Sequence, residues 1–508
     1  MRAPAEGVAL AALFPEGAAG LQARRVTGLA LDSRRVRPGD LFLAVPGTRS
    51  DGRRHIPEAL ARGAAAVAAE AEGLAQIWPA GSLEARCREA GAAWLAVPGL
   101  ARRLGEVAAA FYGHPARRLR VFAVTGTDGK TTCALLAARL AARLGEPAGV
   151  VGTLGWGMVG SEGEQLAETG MTTPDAVTLQ ALFAELVERG VRFVALEASS
   201  HGLHQHRLDA CEVAVGVFTN LGRDHLDYHG DLEAYAAAKR RLFTFPSLQV
   251  AAINVDDPVG LEILGGLPAG VVGVGYGRGP AAAVRATAVR SSVRGLEIAL
   301  RTPWGEAAFT SRLLGEFNAL NLLALIAAFG ALGHPLAEIA SGLEALPPVP
   351  GRMERFGGSR GPQVVVDYAH TPRALSAALA ALRPHCPGRL WVVFGCGGER
   401  DPGKRPLMGA AAEIGADRVV VTSDNPRGED PAAIAAAILA GMADPAAAVV
   451  ELDRAAAIRR AVAEAQEGDW ILVAGKGHEA WQEVAGRRLP LCDRELVRAA
   501  LAAREAAS

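Results

Sequence analysis

Gly126-Thr127-Asp128-Gly129-Lys130-Thr131-Thr132 follows directly on the apolar run Val121 to Thr125, and its residue types are those of a phosphate cradle. Gly126 and Gly129 let the backbone approach anionic oxygens, and a helix opening at Thr131 aims free amides and the positive end of its dipole at them. Lys130 would neutralise β/γ-phosphate oxygens, and a threonine hydroxyl, Thr131 first, would complete the coordination of Mg²⁺. The spacing is shorter than the usual G-x-x-x-x-G-K-[ST], which would need glycine at 124 where this chain has Val124. The strand–loop–helix setting still predicts nucleotide binding. Asp128 is the odd member, because a carboxylate beside phosphates repels them unless it caps the turn or faces a metal.

Three further apolar runs end in polar residues. Run 193–196 ends in Glu197-Ala198-Ser199-Ser200-His201, and run 213–218 ends in Thr219-Asn220 with Asp224-His225 after it. Run 250–253 ends in Asn254-Val255-Asp256-Asp257. In open α/β sheets ligands sit beyond the carboxyl ends of the strands. Any one of these ends alone is an ordinary strand-to-loop transition; four together predict one ligand site. Glu197 leaves an apolar strand, and burying it unpaired is costly, so it calls for a metal ion or, failing that, a structural salt bridge. His225 carries the same two readings. So do His201, His204 and His206, at least two of which belong on the surface or behind the ligand residues.

These residues need a scaffold, and a chain of 508 residues has room for about three domains. With 50% hydrophobic and 21% charged residues, large folded cores are expected. The first 98 residues carry short strands, Gly28 to Leu31 and Asp40 to Val45, and an Ala-rich helix near Ile56 to Arg62. From Val121 to Pro350 apolar strands alternate with helices, which predicts a largely parallel sheet covered on both faces. One helix runs from Thr131 to Leu144 and stops at Gly145; another opens at Thr173-Pro174-Asp175, with Thr173 as its cap. Pro347-Pro348-Val349-Pro350-Gly351 reads as a linker. Beyond it, runs Val364–Val366, Leu390–Phe394, Arg418–Val421 and Trp470–Val473 predict a second α/β domain.

Composition excludes several classes. Lys+Arg 53 against Asp+Glu 54 leaves a net charge of −1, so nothing favours nucleic acid or an anionic membrane as partner. The cysteines Cys87, Cys133, Cys211, Cys386, Cys396 and Cys492 form no C-x-x-C pair, which argues against a disulfide framework or zinc site and fits a reducing cytosol. No stretch nears the roughly 18 apolar residues of a membrane span, and Val8–Phe14, flanked by Glu6 and Pro15-Glu16, makes a poor signal peptide. A cytoplasmic, monomeric protein is expected.

Taken in order, the motifs resemble the Mur ligases, the ATP-dependent amide-bond-forming family of peptidoglycan synthesis, and within it the branch that adds the third peptide residue. The resemblance runs nearly end to end. It rests on Leu31-Asp32-Ser33-Arg34 and Pro38-Gly39-Asp40-Leu41-Phe42, on the GTDGKTT loop, and on Thr172-Thr173-Pro174 with Glu197 to Leu203. It continues through Asn220 to Asp227, Tyr235 to Lys239, Leu314 to Asn318, Pro350-Gly351-Arg352-Met353-Glu354 and Asp367 to Pro372. Gly397 to Asp401, Asp424-Asn425-Pro426-Arg427 and Gly475-Lys476-Gly477-His478-Glu479 complete it. It departs from the family at Asp128 and Met171, where Asn is common.

The resemblance implies an α/β fold in three domains, a uridine-nucleotide domain over 1–98, a central P-loop-like ATPase domain over 99–350, and a Rossmann-like amino-acid domain over 351–508. It implies ATP and Mg²⁺, with Gly126 to Thr132, Asn254, Arg352 and Asp367 on ATP, and Thr131, Glu197, His225 and Lys239 on metal. Arg352 and Asp367 would come onto ATP by domain closure. UDP-N-acetylmuramoyl-L-alanyl-D-glutamate would meet Leu31, Ser33, Thr48, Thr172, Thr173, Ser199, Gln205 and Arg207, with the Thr48-Arg49-Ser50 turn lining the uridine pocket; the bland alternative for Ser33 is a turn cap. Lys239 would react with CO₂ to give N6-carboxylysine, which requires a neutral amine; without the resemblance it would be a solvated lysine. Arg400, Asp424, Asn425, Pro426, Arg427, Gly475 and Glu479 would bind meso-diaminopimelate, Arg427 gripping the distal carboxylate in two parallel hydrogen bonds and Glu479 receiving the distal ammonium. L-ornithine and L-lysine remain open as the third residue. The competing readings are folylpolyglutamate synthase, which shares the short loop, and a binding protein with a dead site, which would have lost Lys130, Glu197, His225 or Lys239.

Overall fold

The computed structural model describes residues 6–16, 24–48, 50–160, 163–292, 294–357 and 361–507. They fall into two compact units, Met1–Ala282 with Ala327–Gly333, and Ala283–Ile326 with His334–Ser508.

In the first unit, β1 (Gly28–Ala30), β2 (Asp40–Ala44), β3 (Ala66–Glu70) and β4 (Ala93–Val97) form a parallel sheet in sequence order. The central sheet uses β5 (Arg120–Thr125), β6 (Ala148–Gly152), β7 (Gly155–Gly160) and β8 (Gly163–Ala167), then β9 (Phe193–Glu197), β10 (Val213–Phe218), β11 (Val250–Asn254) and β12 (Val272–Gly277). Their order is β8-β7-β6-β9-β5-β10-β11-β12. β7 and β8 run antiparallel at one edge, and the other strands pair in parallel. β5, β9, β10 and β11 are buried almost throughout, which is why they read as unbroken apolar runs instead of alternating ones. Being neighbours, they bring the four polar ends to one edge of the sheet, as expected. The helix α1 (Lys130–Arg143) follows β5, with Gly129 at φ 86° as its N-cap.

One helix start differs from the sequence reading. α2 covers Ala176–Glu188, and its cap is Asp175, whose carboxylate accepts from the Thr178 amide. Thr173 lies outside the helix. Its hydroxyl donates to the Glu197 carbonyl at 2.6 Å and accepts from the Ser199 amide at 3.0 Å. A tertiary use of the hydroxyl overrode the local capping pattern.

In the second unit, β13 (Val284–Ser292), β14 (Gly295–Thr302) and β15 (Gly305–Ser311) form an antiparallel ladder. A six-stranded sheet follows, with β16 (Glu354–Phe356), β17 (Gln363–Asp367), β18 (Leu390–Phe394), β19 (Arg418–Val421), β20 (Val449–Val450) and β21 (Trp470–Ala474) in the order β16-β17-β21-β18-β19-β20. Only β16 is antiparallel. Successive side chains enter different cores: Val365, Val392, Phe394, Val421 and Leu472 pack on one face, Val364, Val366, Val393, Val420 and Ile471 on the other. Helices α5 (Pro372–Leu382), α6 (Lys404–Gly415), α7 (Pro431–Leu439), α8 (Arg454–Glu464) and α9 (Asp493–Ala507) flank this sheet, and the hairpin β22 (Trp481–Val484) and β23 (Arg487–Pro490) forms a separate two-stranded sheet.

Arg454, at the start of α8, makes a bidentate ion pair with Asp493, at the start of α9, and both side chains are fully buried. The same guanidinium donates to the carbonyls of Ala474 and Ser423, at the ends of β21 and β19. A buried pair is costly to break because one charge is left uncompensated. Asp493→Ala is therefore expected to lower unfolding stability by about 3–5 kcal/mol. Urea denaturation should show Arg454→Met with Asp493→Leu losing less than the sum of the two single changes.

Candidate active site

The loop after β5 is held from the next strand. Thr219 donates its hydroxyl to the Asp128 carbonyl at 2.6 Å, and Asn220 accepts from the Asp128 amide at 3.0 Å through its side chain and from the Thr127 amide at 2.9 Å through its carbonyl. Thr127 Oγ1 accepts from the Gly222 amide at 2.7 Å and lies 3.1 Å from the Tyr235 hydroxyl. Gly126 has φ 152°, and a Cβ there would sit 1.8 Å from Thr219 Oγ1. Glycine is demanded at this position by space as well as by backbone conformation. Asp128 is exposed and does not cap the turn, since α1 has no side-chain cap.

Two lysines meet at this loop. Lys130 Nζ donates to the carbonyls of Gly126 (2.9 Å) and Thr127 (2.8 Å). Lys239, on α4 (Leu232–Arg240), is 1% exposed and donates to the same Gly126 carbonyl at 2.7 Å. Its ammonium lies 4.2 Å from the Tyr235 ring centroid. Burial, and then the nearby charge of Lys130, push the Lys239 amine well below the ordinary lysine range. Lys239 is thus not the solvated lysine its Ala-rich helix alone would suggest. Burial raises the Tyr235 hydroxyl to about 12, so it stays a protonated partner of Thr127.

Glu197 is 2% exposed, and neither a salt bridge nor an orphaned charge. Its carboxylate accepts from Thr131 Oγ1 (2.9 Å), the Thr153 amide (2.7 Å) and Thr153 Oγ1 (3.1 Å). Thr131 and Thr132 are buried in the first turn of α1. Thr153 also meets Thr172 hydroxyl to hydroxyl at 3.0 Å. His225 is exposed, at φ 53°, and its ring packs 4.8 Å from that of His201. Burial, then His225 and His229, lower His201 to about 4, so it is neutral near pH 7. His204 is exposed against the Tyr228 hydroxyl, and His206 pairs with Asp209. Asn254 is buried, donating to the Thr219 carbonyl and accepting from the Asp256 amide, so it ties β11 to β10.

Beside these ends, Ser199 caps α3 (Ser200–His204), and Gln205 holds Arg207 through its side-chain oxygen. Arg207 also donates to the Thr173 carbonyl at 2.5 Å and to the sulfur of Met171. A cavity of about 990 Å³ runs along β1 and the start of α2, lined among others by Leu31, Asp32, Arg37, Tyr112, Asp175 and Thr178. Asp32, not Ser33, caps the turn after β1. Ser33 is buried and donates to Glu58 at 2.7 Å, and Thr48 is exposed in the turn closed by Gly47 and Ser50. Neither lines the cavity. Arg49 lies outside the described residues.

The second unit gathers its own polar strand ends. Asp367 accepts from the amides of Met353 and Ala369 at 2.8 and 2.9 Å, and Arg352 lies 4.6 Å over the Tyr368 ring. Burial raises the Asp367 carboxyl, while Arg352 and these amides oppose the shift. After β19, Asp424 and Asn425 are buried and Arg427 is 18% exposed on its side chain. Arg427 donates to the Gly398 carbonyl at 2.7 Å and lies 3.2 Å from Glu483 on β22. Its backbone, at φ 51°, bonds to Glu483 and Ala485, and Pro426 precedes it in the same turn. Gly475, at φ 114°, leaves β21 where a Cβ would meet Asp424 Oδ2 at 2.5 Å. Glu479 accepts from Asn425 at 3.0 Å and from Lys476 at 2.8 Å, and Arg400 is exposed. The roles of Lys476, Glu483, Thr153 and Arg454 had not been read from the sequence, although Lys476, between two glycines after a buried strand, carried a signal.

Family models described as Mur ligase family, catalytic domain (residues 25–112), Mur ligase middle domain (124–329) and Mur ligase, glutamate ligase domain (351–477) match the chain. The chain belongs to the Mur ligase family. A relative from Ectopseudomonas mendocina (strain ymp), named UDP-N-acetylmuramoyl-L-alanyl-D-glutamate–2,6-diaminopimelate ligase, is 49% identical over 97% of this chain and 98% of its own length. One of the same name from Coxiella burnetii (strain RSA 493 / Nine Mile phase I) is 44% identical over 94% and 96%. A solved structure with that name superposes with TM-score 0.72 at 38% identity, covering 98% of this chain and 99% of the other. A Mycobacterium tuberculosis folylpolyglutamate synthase shares the fold, with TM-score 0.60 at 22% identity, but covers 74% of this chain and 92% of its own.

The loop geometry makes Gly126→Ala a local test. A methyl group there must displace the Thr219 hydroxyl that fixes Asp128, so nucleotide affinity is expected to fall about 100-fold or more, as a lost preformed anion cradle would cost. Isothermal titration with ADP should show this while the circular dichroism of the fold is unchanged.

Proposed function

We propose that this chain is the ligase that uses ATP to join meso-diaminopimelate to the D-Glu carboxylate of UDP-N-acetylmuramoyl-L-alanyl-D-glutamate. The γ-phosphoryl group moves to the carboxylate, the amine of the incoming amino acid attacks the acyl phosphate, and phosphate leaves. Each step develops negative charge on oxygens, so fixed positive groups supply most of the stabilisation. Lys130 and the amides that open α1 take the phosphates, since those of Thr127 and Asp128 are held by Asn220. Folylpolyglutamate synthase is the weaker reading, because the relatives of nearly full length carry the diaminopimelate name and that enzyme's likeness is one of fold.

Mg²⁺ fits the donors present. Thr131 Oγ1 and Glu197 are hard oxygen donors 2.9 Å apart, and among the described residues no group of three His, Cys, Asp or Glu forms an all-protein cage. One or two protein oxygens completed by phosphate and water is the usual way this ion is held. When bound, it would offset charge on the phosphate oxygens. We assign His225 and carbamylated Lys239 to the same role.

The cavity beside Leu31 reaches Asp175, two residues past Thr173, and would take part of the UDP-sugar substrate. Ser33, Thr48, Thr172, Thr173, Ser199, Gln205 and Arg207, which do not line it, are kept as further substrate contacts on the family resemblance. For Asn254, Arg352 and Asp367 we retain ATP as the ligand. We retain domain limits of 1–98, 99–350 and 351–508 as the family resemblance implies them. Among the described residues no helix is long and apolar enough to cross a membrane. A cytoplasmic monomer without nucleic-acid partners completes the reading.

The choice of amino acid is carried by Arg427. Its guanidinium is aimed by Gly398 and Glu483 and remains partly exposed beside Asn425 and Gly397, ready for a carboxylate that lysine and ornithine lack. A charged hydrogen bond contributes about 1.5–3 kcal/mol, so Arg427→Met should lower kcat/KM for meso-diaminopimelate by roughly 10- to 100-fold. An amino-acid panel on the native enzyme decides the reading: faster turnover of L-lysine or L-ornithine than of meso-diaminopimelate sinks it.

Lys239 has a separate check. Because its pKa is depressed, the neutral amine that reacts with CO₂ is present at lower pH than for an exposed lysine. With ¹³C-bicarbonate, a carbamate carbon resonance is expected in the native enzyme and absent in Lys239→Ala, which should be largely inactive. Full activity in that variant would refute the modification.

A further inference from the structure

Lys476 is a fully buried charge to which the assignments above give no role. It stands in the Gly475–Gly477 turn after β21, and its ammonium donates to Asn425 Oδ1 at 3.0 Å and to Glu479 Oε2 at 2.8 Å. Asn425 Nδ2 donates to the same Glu479 oxygen at 3.0 Å, which closes a ring of three hydrogen bonds. The Glu483 amide donates to Asn425 Oδ1 at 3.0 Å, fixing which way the Asn425 amide points. Glu479 Oε1 has no hydrogen-bond partner among the described residues. A carboxylate with one oxygen gripped twice and the other open has a single direction in which to accept a cation.

We propose that Lys476 is a positioning residue for the amine substrate: its ammonium locks Asn425 and Glu479 so that the open Glu479 oxygen faces the ammonium of the incoming amino acid. This rests on the reading of the 424–427 and 475–479 turns as the amino-acid pocket. The ammonium also compensates the Glu479 charge, so the pocket can stay buried before substrate arrives. With a neutral residue at 476, Glu479 would keep one amide donor and turn toward water, and the cradle would have to be rebuilt at each binding event.

A double-mutant cycle on the full chain tests it, with KM measured for meso-diaminopimelate, ATP and the UDP-muramyl dipeptide in Lys476→Met, Glu479→Gln and the double variant. The single lysine change is expected to raise KM for meso-diaminopimelate about tenfold or more, with the other two KM values within about twofold, as loss of charged hydrogen bonds confined to one pocket implies. In the double variant the KM should equal that of Glu479→Gln alone, because the lysine acts through the glutamate. Multiplying effects, or similar rises for all three substrates, would show a general structural role and overturn the proposal. An unchanged KM in Lys476→Met with a raised one in Glu479→Gln overturns it too, and leaves the amino-acid pocket standing. An unchanged KM in Glu479→Gln takes down both. If Lys476→Met does not fold, Lys476→Gln, which keeps one donor and loses the charge, enters the same cycle with the same expectations.

Discussion

Two ammonium groups, those of Lys130 and Lys239, share the one carbonyl oxygen of Gly126. Like charges this close in a mostly buried place repel strongly, because the screening of bulk water is missing. Loss of a proton from one amine, or an anion beside them, relieves that repulsion. Burial and the Lys130 charge push the Lys239 amine in the first direction, and phosphate at the loop, as proposed above, would supply the second. The surroundings serve to keep this collision in place. Thr219 and Asn220 hold the loop backbone from β10, Tyr235 braces it at Thr127 and lies against the Lys239 ammonium, and Gly126 removes the side chain that would push Thr219 away. The loop is thus prepared for negative charge before any arrives, which is the physical content of preorganisation.

The second unit solves a similar problem with the opposite balance. Its polar turns also leave the carboxyl ends of parallel strands, where backbone amides and carbonyls run out of sheet partners. Here the strand ends are gathered by a charge pair instead of by hydroxyls. Arg454 reaches the carbonyls beyond β19 and at the end of β21 while its own charge is matched by Asp493. Because α8 and α9 each contribute one partner at their first residue, the turns they support are coupled to the packing of both helices. Replacing one partner should therefore disturb stability and the pocket together.

Much of this was legible in the sequence because parallel, doubly covered strands must be apolar throughout, and their ends must not be. The runs 213–218, 390–394 and 418–421 coincide with strands to the residue. The GTDGKTT loop and Glu197 stood out as polar groups where a buried strand stops. The cap of α2 was not legible: Thr173 and Asp175 are both good caps two residues apart, and only the tertiary demand of the Glu197 carbonyl and Ser199 amide for a hydroxyl decides between them. The partners of Glu197 were not legible either, since hydroxyls of Thr131 and Thr153 come from distant parts of the chain. Burial of Lys239 is invisible in an A-A-A-K-R pattern that suits a solvated helix equally well.

Arg427 shows why local sequence pattern does not give the geometry of the turns in the second unit. Asp-Asn-Pro-Arg is ordinary turn chemistry, yet the arginine sits at φ 51°, a conformation that costs a non-glycine residue on the order of 1 kcal/mol or more. A glycine would hold that backbone without strain, so the side chain must justify the cost. The hairpin supplies the restraint: Glu483 accepts from the Arg427 amide, Ala485 donates to its carbonyl, and Gln482 donates to the Asp424 carbonyl. The turn makes a single parallel bridge to β22 at Val484, and the strained conformation is the one that brings the guanidinium to Gly398 and Glu483. A hairpin with one half-buried and one exposed strand thereby sets the direction of the Arg427 guanidinium.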